Sequence, residues 1–83
     1  MKQYAIFKDH KAQYNNEDKY IKVDTSNVFN LLGELQEEVN NDNTLYLIGL
    51  FENIGNDEYK RVAVIRQNNV IEIEDTDITF CLN

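Results

Sequence analysis

The stretch TLYLIGLF, residues 44–51, decides the fold because nearly all of its side chains are apolar. Successive side chains of an extended strand point to opposite faces of a sheet, and both faces of this strand would be apolar. One face would carry Leu45, Leu47 and Phe51, and the other Tyr46, Ile48 and Leu50. A strand that buries both faces lies in the middle of a sheet, with neighbours on either side. The stretch therefore predicts a central strand.

Two strands are predicted before this segment. Residues 2–8 are apolar at their centre, and residues 19–24 alternate between apolar and polar side chains, which is typical of a strand with one buried face. The polar stretch between them contains Asn15 and Asn16, which tolerate the left-handed backbone conformation of a turn. We therefore expect the two strands to pair with each other.

A helix is predicted between these strands and the central one. Apolar residues recur at intervals of three and four from Val28 to Val39, which is the spacing of one helical face. The candidate N-cap residues are Asp24, Thr25 and Ser26, and the candidate left-handed terminators are Asn40, Asn41 and Asn43. Gly33 would let the helix approach the sheet closely. We expect a helix over about residues 25–40.

An antiparallel meander is predicted after the central strand. NIGND, residues 53–57, favours a turn into a strand over residues 59–67. Asn68 and Asn69 favour a two-residue hairpin turn into VIEIED, residues 70–75.

That two-residue turn sets the faces of the strands that it joins. It would turn Ile71 and Ile73 into the core, and Glu72 and Glu74 away from it. The alternation then changes parity, which favours a bulge or tight turn at residues 75–77. The carboxylates of this segment lack the glycine and the distal glutamate of a calcium loop, and we expect no metal site.

Together these elements predict an α+β fold in the order ββαβββ. It has about five strands in a small antiparallel sheet, a short further strand at residues 78–82, and the helix packed on one sheet face. The 83 residues suit a single domain, 1–83. No apolar run approaches the roughly 20 residues that span a bilayer, and no secretory signal is evident. A lone cysteine, Cys81, suits a reducing compartment, and we expect a cytoplasmic protein.

Acidic residues are segregated along the chain. The net charge is −7, and residues 23–59 contain eight acidic residues and no lysine or arginine. In the predicted helix, Glu37 and Glu38 lie near the C-terminus, where each negative side chain opposes the helix dipole by about 0.3–1 kcal/mol. Glu34 and Glu38 also repel each other at i and i+4. Because stability alone would favour lysine here, we interpret these carboxylates as a recognition surface for a basic protein.

Signals of catalysis are weak. The single histidine, His10, and Cys81 lie at opposite ends of the chain, and the three glycines are isolated rather than grouped in a phosphate-binding loop. The charge has the wrong sign for direct nucleic-acid binding. We expect no enzyme activity, no cofactor and no metal.

We expect instead a non-enzymatic acidic protein-binding module. It would block a basic, nucleic-acid-binding protein by presenting a string of carboxylates that resembles the charge of duplex DNA. The expected binding residues are Glu34, Glu37, Glu38, Asp42, Glu52, Asp57, Glu58, Glu72 and Glu74. In composition the chain resembles the small acidic inhibitors encoded by phages and mobile elements, including DNA mimics and anti-CRISPR proteins. That likeness covers no motif and assigns no residue a role.

Two alternatives remain open at this level. The acidic surface could serve only solubility, since a net charge of −7 is ordinary for a small soluble protein. The protein could also be a homodimeric structural or assembly subunit. One helix covers only one sheet face, so Tyr46, Ile48 and Leu50 would need cover from residues 9–18, a curled sheet, a partner or a second copy.

Overall fold

The backbone follows the predicted order of elements. A computed structural model of the chain describes residues 1–8, 20–73 and 79–81. The elements within these ranges are β1 (Lys2–Phe7), β2 (Tyr20–Thr25), α1 (Val28–Asn41), β3 (Leu47–Gly55), β4 (Glu58–Arg66), β5 (Val70–Ile73) and β6 (Thr79–Cys81). All of the strand pairs are antiparallel. The α+β class, the single helix and the short further strand are thus confirmed for the part of the chain that is described.

The sheet places β3 at its centre, as predicted. The strand order is β2-β1-β3-β4-β5, and β6 pairs with β4. β5 and β6 run along the same side of β4 in different registers, because Ala63 pairs with Ile73 and Lys60 pairs with Thr79. From the first of these pairs to the second, β4 moves by three residues and the opposing chain by six. A regular ladder would move both by the same number, so the odd difference agrees with the predicted change of parity. Residues 74–78, where the bulge or turn was predicted, lie outside the described residues.

The N-terminus of α1 is capped by Asn27. Its side-chain oxygen accepts a hydrogen bond from the backbone nitrogen of Asn30 at 3.3 Å. The backbone nitrogen of Asn27 in turn donates to Thr25 Oγ1 at 3.0 Å. The prediction that the N-cap is Asp24, Thr25 or Ser26 is wrong, because β2 extends to Thr25 and the chain needs two more residues to turn into the helix.

The C-terminus of α1 also differs from the prediction. Asn41 is the last helical residue, and Asp42 follows in an extended conformation with φ −123°. The predicted left-handed terminators were Asn40, Asn41 and Asn43. None of the three has a positive φ, and that prediction is wrong.

A network of side-chain amides joins the end of α1 to the β4–β5 turn. Asn40 Oδ1 accepts from the backbone nitrogen of Asn68 at 2.9 Å, and Asn40 Nδ2 donates to Asn69 Oδ1 at 2.9 Å. The buried Gln36 donates through Nε2 to the carbonyl oxygen of Arg66 at 2.6 Å. These contacts hold the turn against the helix and fix where β5 begins.

The β4–β5 turn is one residue longer than predicted. Arg66 pairs with Val70, which leaves residues 67–69 in the turn. Asn68 and Asn69 have the left-handed φ values of 66° and 62° that the prediction of a primed turn requires. The extra residue shifts the register of the hairpin by one position.

This shift changes which residues of β4 pair with β5. Ile71 pairs with Ile65, and Ile73 with Ala63, so both isoleucines lie on the helix side of the sheet. The helix packs over β4 and β3, however, and leaves Ile71 38% and Ile73 73% exposed. The prediction that these two residues are buried in the core is wrong. Glu72 lies on the opposite side of the sheet and is exposed.

The sheet buries apolar side chains on both of its faces. On the helix side the buried residues are Tyr4, Ile6, Leu31, Leu32, Leu35, Val39, Ile48, Leu50, Ala63 and Ile65. On the other side Ala5, Phe7, Phe51 and Tyr59 are each fully buried. The Phe7 and Phe51 rings meet edge to face, with centroids 5.0 Å apart. The prediction that β3 buries both faces is therefore confirmed.

The prediction that Ile48 and Leu50 belong to a self-association face is wrong. Ile48 and Leu50 lie beneath α1 and are fully buried, so neither can meet a second copy. Tyr46 precedes β3 and is 70% exposed. The error arises because the sequence shows that both faces are apolar but does not show which of them the helix covers.

Candidate functional site

The outer face of α1 carries exposed residues of unusual character for a helix surface. Phe29, in the first turn, is 80% exposed. Glu34 and Glu37 are exposed in the following turns. Phe29, Gly33 and Glu37 follow at intervals of four and therefore lie along one line of the helix surface. We name these four residues, Phe29, Gly33, Glu34 and Glu37, the α1 surface.

Gly33 contributes to this surface by having no side chain. No atom lies within 4 Å of the position that a Cβ would take, so the glycine faces solvent. The prediction that Gly33 allows close approach of the helix to the sheet is therefore wrong. The glycine instead leaves an open gap on the helix between the Phe29 ring and Glu37.

Three of the expected binding carboxylates pair with cations that are distant in sequence or on a neighbouring strand. Glu52 Oε1 lies 2.8 Å from Lys2 Nζ, and the pKa of Lys2 is raised by the hydrogen bond and charge of Glu52. Glu38 pairs with Lys8. Glu72 Oε1 accepts from Arg66 Nε at 3.3 Å. The long stretch without cations at residues 23–59 is thus partly neutralised when the N-terminal strand joins the sheet.

Asp42 has a local role at the end of α1. Its Oδ1 accepts hydrogen bonds from the hydroxyl of Thr44 at 2.6 Å and from the Thr44 backbone nitrogen at 2.9 Å. These two bonds, the hydroxyl bond first, hold the pKa of the Asp42 carboxyl below its usual value. They also account for this aspartate without reference to a partner.

Of the other residues expected to bind a partner, two lie at the β3–β4 connection and one lies outside the described residues. Asp57 lies in the β3–β4 turn with φ 60°, and Glu58 begins β4; both are exposed. Glu74 lies outside the described residues. Apart from Asp42, the expected carboxylates that form no ion pair among the described residues are Glu34, Glu37, Asp57 and Glu58. The structure therefore does not gather the expected residues into one patch.

An open groove runs from the α1 surface towards β5. It has a volume of about 420 Å³, and its apolar lining comprises Tyr4, Val28, Phe29, Leu32, Leu50, Val62, Ala63 and Ile73. The Lys2–Glu52 ion pair contributes the polar part of the lining. Phe29 and Ile73 are the most exposed residues of the groove, and both were missed from the sequence as surface residues. The sequence did indicate that Phe29 is exposed, because this residue lies off the apolar stripe of the helix.

Other candidate chemistry is limited in the part of the chain that is described. Cys81 is exposed on β6, and His10 lies outside the described residues. No group of three or more histidine, cysteine, aspartate or glutamate residues in ranges 1–8, 20–73 and 79–81 is arranged to hold a metal ion. Within the same ranges, α1 is neither long nor apolar enough to cross a membrane.

No family model matches the chain, and neither the curated proteins nor the solved structures contain a significant match to it.

Proposed function

We propose that this protein is a non-enzymatic acidic inhibitor. It uses the α1 surface to occupy the nucleic-acid-binding site of a basic protein. One observation carries the proposal: three of the four residues of the α1 surface, Phe29, Gly33 and Glu37, are exposed and lower the stability of the helix. Residues that are unfavourable for folding and that pack against nothing are expected where a partner, rather than the fold, requires them.

The cost of these residues can be estimated one by one. An exposed Gly33 in the helix interior costs about 1 kcal/mol relative to alanine, and an exposed Phe29 about 0.5 kcal/mol. Glu37 lies four residues before the last helical residue and opposes the helix dipole by up to about 0.5 kcal/mol, and α1 has no basic residue in its last turn. Together these terms approach about 2 kcal/mol, a large share of the roughly 5–15 kcal/mol that stabilises a typical domain.

The same residues suit binding. An exposed aromatic side chain that fills a pocket of a partner is the usual anchor of an interface, and charged groups at its rim fix orientation and speed association. Glu34 and Glu37 are three residues apart, about 4.5 Å along the helix axis. Phosphate charges follow at about 3.4 Å along each strand of duplex DNA. The two carboxylates could therefore meet neighbouring phosphate-binding cations of the partner.

The test compares three tagged baits in pull-downs from a bacterial lysate. The baits are the native protein, the double variant Glu34→Gln and Glu37→Gln, and the double variant Asp57→Asn and Glu58→Gln. Both variants change the net charge from −7 to −5, because each neutralises two carboxylates. They differ only in whether the loss falls on α1 or on the β3–β4 turn, so the second variant is the matched control.

We expect the α1 variant to lose a basic protein that the turn variant retains. The loss should be about two- to thirty-fold in affinity, from about 0.2–1 kcal/mol for each of the two exposed ion pairs. The purified partner should then release duplex DNA when the native protein is added, and raised salt should weaken the complex. Equal loss with both variants would mean that only net charge matters. A partner whose DNA binding is unaffected would also overturn the proposal.

A further inference from the structure

Strand β5 forms an edge of the sheet with little of the usual protection. Among the described strands it pairs only with β4, so its outer side presents backbone groups that no described strand satisfies. All four of its residues are exposed, and Glu72 alone is charged. Natural edge strands are normally shielded by several charges, by proline or by a bulge. An exposed apolar edge is therefore suited to pairing with a strand from another molecule.

The apolar surface of this edge continues onto the helix. Ile71 and Ile73 lie on the helix side of the sheet but beyond the reach of α1. Ile73 shares the open groove of about 420 Å³ with Phe29 of the α1 surface. A segment bound along β5 could thus contact the same partner-binding face that α1 presents.

We propose that β5 is a docking edge for an extended segment of the basic partner. The segment adds to the sheet as a further strand, and it alternates apolar residues with lysine or arginine. Its apolar side chains pack on Ile71 and Ile73, and its basic side chains lie on the opposite side of the sheet, beside Glu72. This inference rests on the proposed function, because it assumes that the partner is basic.

Charge complementarity selects this occupant. Residues 67–83 contain four acidic residues and no lysine or arginine. Glu72 is 53% exposed at its side chain, and its contact with Arg66 is long at 3.3 Å, so it can accept a second cation. Opposite charges placed directly across neighbouring strands stabilise a sheet, and like charges destabilise it. A strand with basic residues on this side is therefore preferred over a neutral or acidic one.

The same reasoning disfavours a second copy of the chain. Antiparallel pairing of two β5 strands in one continuous sheet must keep the helix sides together. If the pairing is centred on position 72, the two Glu72 side chains lie opposite each other. If it is centred on position 71, only residues 70–72 of each copy overlap. In either register two molecules that each carry −7 must approach closely.

The test uses a short synthetic peptide that alternates lysine and valine. The control peptide has the same composition with its lysines grouped at one end, so it cannot place all of them on one side of a strand. We expect the alternating peptide to slow hydrogen exchange at backbone amides of residues 70–73 by about tenfold or more, because strand addition protects them. The grouped peptide should bind at least about tenfold more weakly.

A double variant locates the site. Ile71→Thr with Ile73→Thr keeps strand propensity but removes the apolar contact, and both residues are exposed, so folding should be retained. Affinity for the alternating peptide should fall about tenfold or more. The matched control is Ile21→Thr, at a 50% exposed isoleucine on β2, the opposite edge of the sheet. It should leave the affinity within about twofold.

Several outcomes would overturn the inference. The first is equal binding of the two peptides, and the second is slowed hydrogen exchange on β2 instead of β5. The third is a native dimer that the Ile71→Thr and Ile73→Thr variant dissociates, because a second copy would then be the occupant of β5. The peptide measurements are made without any partner protein. Failure of the proposed inhibitor function and failure of strand addition at β5 are therefore seen separately.

Discussion

Replacing Glu37 with lysine should stabilise the protein, while the same change one residue later should not. Glu37→Lys turns an unfavourable charge near the C-terminus of α1 into a favourable one, worth about 0.5–1 kcal/mol given its distance from the helix end. The new ammonium group would also attract Glu34 at i−3, for about a further 0.2–0.5 kcal/mol. No described ion pair of Glu37 is lost.

Glu38→Lys is the matched control because it makes the same charge change in the same turn of the helix. It would gain a similar amount from the helix dipole and from attraction to Glu34 at i−4. It would also remove the ion pair with Lys8 and bring two ammonium groups together. The two side chains are 41% and 36% exposed, so solvent limits the loss of the pair to about 0.2–1 kcal/mol, with a similar cost for the repulsion. We expect the gain and the losses to cancel.

Thermal unfolding followed by circular dichroism measures the difference. A stabilisation of about 1 kcal/mol raises the Tm of a domain of this size by about 4–8 °C. The rise for Glu37→Lys should largely disappear in about 1 M salt, where the Debye length falls to about 3 Å. A lower Tm for Glu37→Lys would show that this carboxylate stabilises the fold. An equal rise for both variants would show that only the overall charge matters, and that the Glu38–Lys8 pair contributes nothing.

Four further substitutions test other parts of the structure. Gly33→Ala should raise the free energy of unfolding by about 0.5–1 kcal/mol in urea titrations, because the new methyl group meets open solvent; no gain would mean that the glycine is needed for the fold. Leu50→Ala should cost about 2–5 kcal/mol in the same titrations without changing the sedimentation coefficient of the folded protein, since Leu50 lies in the core. Asn40→Ala should cost about 0.5–1.5 kcal/mol and speed hydrogen exchange in β5, because the exposed Asn68 amide loses its acceptor; unchanged exchange would contradict the tie between α1 and the turn. Thr44→Val should reduce stability at neutral pH but not in acid, because the folded pKa of Asp42 is lowered. The stability that this lowering provides is present above the unfolded pKa of 3.8 and is lost as the pH falls through the folded pKa. A difference in stability that persists at about pH 2 would place the effect elsewhere.

The sequence alone predicted the elements and the centre of the sheet. Residues 44–51 are apolar at alternate positions on both faces, and that pattern requires a strand with neighbours on each side. The spacing from Val28 to Val39 predicted the helix in the same way. Left-handed backbone at Asn68 and Asn69 followed from the chemistry of asparagine. Such features depend on residues that are near one another in the chain, so they can be read without the tertiary structure.

The candidate site was less accessible from the sequence. Glu38 and Glu52 lie in a stretch without cations, yet they pair with Lys8 and Lys2, because β1 packs beside β3. Only Glu34 and Glu37 remain unpaired on the helix among the described residues. Phe29, at the N-terminal end of the proposed surface, was recognisable only by its position off the apolar stripe.

Hydrophobic periodicity and turn chemistry in the chain itself determined that this protein is a helix packed on an antiparallel sheet. Tertiary structure alone decided which side of β3 the helix covers, which carboxylates keep their charge uncompensated, and that Ile71 and Ile73 stay at the surface. The physical reason is that exposure and ion pairing depend on which distant segments meet. A single extra residue in the β4–β5 turn, held by Asn40, was enough to shift the pairing of β5 with β4 by one position.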